Sequence, residues 1–374
     1  MEQIIEKIRE RETISSQRRA RFSTKYVDEE LQRILEEART KILVVGVGGA
    51  GNNTITRLME IGIDGAETLA INTDAQDLLY TDAHHKLLIG RKLTGGLGAG
   101  NNPAVGEAAA KESYEEIKEA VVADLVFITC GLGGGTGTGA APIVAEAAKD
   151  QGALTISICT LPFRIEGRKR IRNALMGLKN LLNVCDTVIV IPNEKLLDIV
   201  PNLSIAEAFR VADEILIRGV KGITELVTRP GLVNLDFADV KSVLENGGMS
   251  LISMSEAEGE KRAETAVKKA LQNPLLDVDI NGARGALINI SGSQDLTLHE
   301  AEIIVENVAS KLEPDAEIIW GALIDGELKG AIRITLIISG VNSPYLVESE
   351  EDLMKILLEK NKGANIDFGI EPLE

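Results

Sequence analysis

Nine positions, Gly131-Leu132-Gly133-Gly134-Gly135-Thr136-Gly137-Thr138-Gly139, hold six glycines and two threonines and follow directly on the apolar run Leu125-Val126-Phe127-Ile128-Thr129-Cys130. An apolar run ending in such a cluster reads as a buried strand that stops at a turn, and no other stretch constrains the fold as tightly. With no Cβ in the way, successive backbone N–H groups point into one concavity. The following Ala140-Ala141-Pro142-Ile143-Val144-Ala145 reads as the opening of a helix. A nest of amides at a helix N-terminus binds phosphate. A flexible glycine linker does not sit flush between a strand and a helix.

Around this stretch, apolar runs at Lys41 to Val45, Thr68 to Asn72, Leu87 to Ile89, Leu125 to Cys130, Leu154 to Thr160 and Val188 to Ile191 alternate with helical patterns. That alternation predicts a parallel sheet with helices on both faces. Ligands on such sheets bind at the carboxyl ends of the strands. Three further segments fall there: Gly46-Val47-Gly48-Gly49-Ala50-Gly51-Asn52-Asn53, Asn72-Thr73-Asp74-Ala75, and Gly96-Leu97-Gly98-Ala99-Gly100-Asn101-Asn102-Pro103. The first matches G-x-G-x-x-G, with Asp74 where a dinucleotide site places its ribose-binding acid, which leaves an NAD-dependent dehydrogenase as an alternative. Several glycine-rich edges fit a longer phosphate chain better than one turn does. Since G-x-x-x-x-G-K-[ST] is absent, the candidate is a triphosphate site built without the P-loop lysine.

Farther along, Glu166 and Arg170 stand i,i+4 and form either a surface ion pair or part of the site. Asn193 lies at the end of the strand Val188 to Ile191. Ser204-Ile205-Ala206-Glu207 is a capping box opening a helix that continues to Arg229-Pro230-Gly231. About 25 residues of helix span roughly 37 Å, a domain diameter, so this helix is expected to join two domains. Phe209 and Asp213, one turn apart near its start, either stack on and hydrogen-bond a base or serve as core and solvated surface. In Gly231-Leu232-Val233-Asn234-Leu235-Asp236-Phe237-Ala238-Asp239-Val240, an amide and two carboxylates enter a helix that Asp236 and Asp239 can cap. A helix from about Gly259 to Leu271, a strand Ala286 to Ile290, a helix Thr297 to Leu312 and strands Ala316 to Ile324 and Ala331 to Ser339 read as a smaller α+β domain.

The expected organisation is therefore a helical arm at 1–39, a nucleotide-binding domain at 40–203, the central helix at 204–229, an α+β domain at 230–340 and a tail at 341–374. A formal charge of -17 argues against nucleic-acid binding. Cys130, Cys159 and Cys185 sit in or beside apolar runs without paired spacing, as reduced thiols of a cytoplasmic protein do. Neither they nor His84, His85 and His299 compose a metal site. No apolar run approaches the ~20 residues of a membrane span, and the N-terminus is charged rather than signal-like.

Together, the GGGTGTG core of Gly131 to Gly139 and the G-L-V-N-L-D-F-A-D-V of Gly231 to Val240 resemble FtsZ, the prokaryotic cell-division GTPases of the tubulin superfamily, over roughly residues 40 to 340. Asn52-Asn53 and Phe209-x-x-x-Asp213 look closest to archaeal members. The resemblance implies a tubulin/FtsZ-like α/β fold, a Rossmann-like parallel-sheet GTPase domain joined by a long central helix to a smaller α+β domain. It implies GTP and GDP as ligands, with Mg2+ carried by the nucleotide. Gly48, Gly49, Ala50, Gly51, Asn52 and Asn53 with Gly133, Gly134, Gly135, Thr136 and Gly137 would hold the phosphates, Ala99 and Gly100 on the γ side, Asn72 and Asp74 nearby. Glu166 and Arg170 match residues at ribose and guanine, Asn193 and Asp213 those that hydrogen-bond the base, and Phe209 the ring that stacks on it. Asn234, Asp236 and Asp239 match the catalytic loop that meets the nucleotide of the next subunit. The resemblance implies a head-to-tail homopolymer at the mid-cell division ring, activated as a GTPase by assembly and tethered to the membrane by an adaptor protein through the tail, with a GTP-binding regulatory relative that has no ring-forming role as the alternative.

Overall fold

The computed structural model describes residues 40–199, 204–229, 231–233, 235–273, 280 and 282–341. The expected arm at 1–39, Asn234 and the tail from 342 onward lie outside the described residues. The first half runs β1 (Ile42–Val47), α1 (Gly48–Ile61), β2 (Glu67–Asn72), α2 (Ala75–Tyr80), β3 (His85–Leu88), α3 (Arg91–Thr94), α4 (Pro103–Glu112), α5 (Tyr114–Ala120) and β4 (Leu125–Gly131). It continues with α6 (Thr136–Asp150), β5 (Leu154–Leu161), α7 (Arg168–Val184), β6 (Thr187–Pro192) and α8 (Asn193–Ile199). The central helix α9 (Ile205–Thr228) is followed by α10 (Phe237–Leu244), β7 (Gly248–Ala257), α11 (Arg262–Leu271), β8 (Gly285–Gly292), α12 (Leu298–Ala309), β9 (Glu317–Ile324) and β10 (Ile332–Ser339).

The ten strands among the described residues belong to one sheet, in the order β3-β2-β1-β4-β5-β6-β7-β10-β8-β9. Strands β1 to β6 pair in parallel, as βαβ crossovers require. Because side chains alternate across a strand, Leu43, Val45 and Val47 of β1 enter one apolar cluster, with α6 and α7, while Ile42 and Val44 enter the other, with α1 and α9. The expected layers are present.

Strand β7 was not legible in the sequence. Three of its residues pair in parallel with β6, Thr187 with Gly248, Val188 with Met249 and Ile189 with Ser250, and it is antiparallel to β10. It therefore welds the two halves into one sheet. Its pattern is broken by Ser250, Ser253 and Ser255, all buried. Two of these hydroxyls donate to helix carbonyls of α11, Ser253 to Ala270 at 2.7 Å and Ser255 to Ala266 at 2.8 Å. A buried polar group with its hydrogen bond made is tolerated in a core strand.

The capping box at Ser204 forms as expected, with Glu207 N donating to Ser204 Oγ and Ser204 N to Glu207. From there α9 lays Ala212, Ile215, Leu216, Val220, Ile223 and Leu226 into a single cluster that includes Val44, Phe127 and Ile158 of the first half and Ile252, Leu287 and Ile337 of the second. One correction concerns α6, which begins at Thr136 rather than at Ala140. Gly137 and Gly139 thus lie inside the helix. A Cβ at Gly139 would stand 2.0 Å from the Pro103 carbonyl oxygen, so close packing of α4 on α6 demands glycine there despite its entropic cost.

Candidate nucleotide site

At the carboxyl edge of β1, β4, β5 and β6 lies a cavity of about 260 Å3. Its walls include Gly49 and Ala50 at the start of α1, Gly134, Gly135, Thr136 and Gly137 at the start of α6, Glu166 and Arg170 around the start of α7, Asn193 and Phe209. Val47, Gly131, Leu132, Thr160 and Pro162, not among the ligand contacts expected from the sequence, complete it. Two glycine turns thus meet from neighbouring strands. Gly48, at φ +74, brings them together: a Cβ there would lie 2.7 Å from the amide nitrogen of Gly137. Gly134 is the opposite case, since a Cβ on it would meet no protein atom within 4 Å.

The remaining expected phosphate-loop residues hold the cradle's frame. Asn52 and Asn72 donate their side-chain amides to one oxygen of Asp77, at 3.1 and 2.6 Å, tying the turn after β1 to the end of β2. Asn72 Oδ1 also accepts from the amide of Thr73. Asp74 caps α2, accepting from the amides of Gln76 and Asp77 at 2.9 and 3.1 Å. The ribose-binding acid of a dinucleotide site is therefore a helix cap here. Thr73 and Thr136 share a hydroxyl hydrogen bond of 2.6 Å across the two turns. Ala99 is buried, and a Cβ on Gly135 would reach its methyl at 2.8 Å, so the third edge abuts the cradle from outside the cavity wall. Gly100 and Asn53 are exposed, while Gly51 is buried under the turn. Asn173 donates to the carbonyl of Gly133 at 3.1 Å and to that of Asn101 at 3.5 Å. Asp77 and Asn173 were missed because a single polar residue on a helix carries no local signal.

The other end of the cavity is shaped for a ring. Phe209 is 41% exposed and forms a T-shaped pair with Phe163, at 5.2 Å between centroids and 83° between planes. Asn193 is buried to 3% exposure, and its Oδ1 has no hydrogen-bond partner. An unpartnered buried carbonyl oxygen beside an open aromatic face suits a ligand that donates a hydrogen bond. Glu166 accepts from the Phe163 amide at 2.8 Å and pairs with Arg170. Asp213, one turn along α9 from Phe209, accepts from Thr54 Oγ1 at 3.3 Å and faces Arg57 Nε at 3.4 Å, both on α1. Burial pushes its pKa up to about 6, with Arg57 and the Thr54 hydrogen bond working in the opposite direction.

Asp236 and Asp239 are not at this cavity. They form the capping box of α10: Asp239 N donates to Asp236 Oδ1 at 2.9 Å and Asp236 N to Asp239 Oδ2 at 3.0 Å. The preceding Leu235 packs on the same glycine, Gly321, as Leu226 of α9. Leu226 lies 17 residues along α9 from Phe209, or roughly 25 Å at the helical rise. The loop is pinned to β9 by an antiparallel bridge from Val233 to Ala322.

Two glycine turns at the carboxyl edge of a parallel sheet, with a long helix carrying that sheet into a second half, make up the architecture of a tubulin-like GTPase. Residues 41–201 match the Tubulin/FtsZ family, GTPase domain, and residues 248–342 the FtsZ family, C-terminal domain. Cell division protein FtsZ 1 of Thermococcus kodakarensis is 58% identical over 343 residues, covering 91% of this chain and 92% of its own. FtsZ 1 of Methanocaldococcus jannaschii is 59% identical over 317 residues, covering 84% and 87%. Among solved structures, an empty FtsZ dimer from M. jannaschii superposes with a TM-score of 0.81 at 58% identity, covering 86% of this chain and 94% of that one. CetZ2 from Haloferax volcanii, at 23% identity and TM-score 0.72 over 86% of this chain and all of that one, shares the fold. The chain belongs to the FtsZ family and carries its GTPase domain. The dehydrogenase alternative is thereby overturned.

Proposed function

We propose that the chain binds GTP in the cavity, assembles head to tail into filaments of the cell-division ring, and hydrolyses GTP where the loop at Asn234, Asp236 and Asp239 of one subunit meets the nucleotide of the next. The observation that carries this reading is the separation of two half-sites along one helix. GTP hydrolysis rests on positioning and on orienting an attacking water. Glu166 is the carboxylate in the cavity wall, and both its oxygens are engaged, by Phe163 and Arg170. The capping carboxylates follow the far end of α9, whose rise from Phe209 to Leu226 is roughly 25 Å, too far to serve their own cradle. Between copies they can meet it, and a contact of that heterologous kind propagates rather than closes.

In this reading the amides of 48–53 and 133–137 cradle the phosphates, and the frame of Asn72, Asp74, Ala99 and Gly100 sets the cradle's shape. Glu166 and Arg170 meet ribose and guanine, Phe209 stacks, and Asn193 and Asp213 accept from the base. Mg2+ would come with the nucleotide and offset the charge of its phosphates. The units at 40–203, 204–229 and 230–340 act as nucleotide domain, connecting rod and carrier of the acid loop. Residues 341–374 recruit the filament to a membrane adaptor from the cytoplasm, and no described helix is long and apolar enough to cross a membrane. The dimer described for the M. jannaschii relative supports association between copies.

Sedimentation with GTP, GDP or no nucleotide, beside turnover at several protein concentrations, tests the proposal. Polymer should pellet with GTP, and turnover per subunit should climb with concentration. Constant turnover per subunit across a hundredfold range would overturn the shared site.

A further inference from the structure

We propose that Arg57 is a positioning residue that fixes guanine preference, by holding the Asp213 carboxylate, one helical turn from the cavity-lining Phe209, in place and in its ionised form. The proposal rests on the assignment of Asp213 to the guanine base. Its geometry is independent of that assignment. Arg57 Nε approaches Asp213 Oδ2 at 3.4 Å, and the two side chains are 29% and 19% exposed. Thr54 Oγ1 reaches Asp213 Oδ1 at 3.3 Å and the Ala50 carbonyl at 3.2 Å. Each carboxylate oxygen keeps a lone pair for a further donor. Thr54 and Arg57 lie on α1, whose first turn forms the phosphate cradle, so one helix would orient both ends of the nucleotide.

The charge state matters because guanine presents N1–H and N2–H2 donors, which only an ionised carboxylate accepts together. Desolvation opposes that form, and Arg57 is the counter-charge. Neighbouring charges on α9 are turned elsewhere: Glu214 pairs with Arg218 at 2.6 Å, and Arg210 acts on Glu207. Among the described residues, Arg57 is the cation within 4 Å of this carboxylate. Removing it leaves Asp213 buried with the Thr54 hydrogen bond but without that counter-charge. An opposite charge at this range ordinarily holds a carboxyl down by about one unit or more.

The test is the pH dependence of GTP, ITP and ATP binding from pH 5 to 8 in Arg57→Leu, Arg57→Lys and Asp213→Asn proteins, followed by titration with fluorescent nucleotide analogues. In the unaltered protein, GTP affinity should fall as pH drops below about 6. Arg57→Leu should move that midpoint up by about one unit or more, lowering GTP affinity about two- to tenfold at pH 7. ATP binding should not change, and Arg57→Lys should restore the profile. An unmoved midpoint, or equal losses for GTP and ATP, would overturn the role of Arg57. Asp213→Asn separates the two readings: if it leaves the GTP over ITP and ATP preferences intact, the assignment of Asp213 to the base has failed, whatever Arg57 does.

Discussion

Glycines in the cradle divide by what surrounds them. Gly134 faces no protein atom within 4 Å, whereas a Cβ on Gly139 would collide with the Pro103 carbonyl at 2.0 Å. Gly134→Ala should therefore fold with an unchanged melting temperature yet lose about tenfold or more in GTP affinity, since its methyl occupies space a phosphate needs. Gly139→Ala should instead lose about 1 to 3 kcal/mol of stability to overpacking. Calorimetry and nucleotide titration on the two proteins separate these effects. Asp213 links the site to pH. Its carboxyl is raised from 3.8 to about 6, so the folded state holds the proton more tightly than the unfolded chain. Its contribution is most favourable below pH 4, declines as pH rises from about 4 to 6, and is flat above. The full span is at most about 3 kcal/mol. Urea unfolding of Asp213→Asn beside the unaltered protein should show a stability gap in the variant's favour that widens over that window and then stays constant. A constant gap from pH 4 to 8 would mean the carboxyl is not raised.

At the scale of elements, the proposed mechanism gives the acid loop two duties. Asp236 both caps α10 and, in the proposed mechanism, serves the neighbouring nucleotide. Asparagine caps a helix about as well as aspartate but carries no charge. Asp236→Asn should keep the melting temperature, keep GTP binding and lower turnover by about 10^2-fold or more. Asp236→Ala should lose the same turnover and about 1 kcal/mol of stability besides. Equal turnover in Asp236→Asn and the unaltered protein would confine this residue to capping. The same double use appears at Asn72 and Asp74, whose side chains shape the cradle by bonding backbone amides.

For the whole molecule, one sheet and one helix set the distance between cradle and acid loop, and in the proposed mechanism each subunit holds two halves of different sites. Mixing Gly134→Ala with Asp236→Asn tests this. The first protein keeps an intact acid loop and the second an intact cradle. Where they meet correctly, part of the GTPase activity should return and rise steeply with total protein. A mixture as inactive as its components, while both still assemble, would show that the site is not shared. Gly134→Ala suits this experiment better than a change at Thr136, whose hydroxyl is tied to Thr73 and thus to the frame.

The sequence by itself determined the features whose physics is local. Glycine after an apolar strand dictated the cradle, alternating runs dictated the parallel strands, Ser204 with Glu207 dictated the start of α9, and the carboxylates at 236 and 239 dictated a capped helix. Only the tertiary structure decided what depends on partners distant in the chain. Strand β7 was hidden because buried serines break its apolar pattern, two of them, Ser253 and Ser255, bonding α11, and the start of α6 because Gly137 and Gly139 are helical where β4 and α4 press against them. Arg57, Asp77 and Asn173 acquire their roles from residues 156, 25 and 40 positions away, respectively Asp213, Asn52 and Gly133. A periodicity reports which face of an element is buried; a hydrogen bond between elements exists only once the sheet has brought them together.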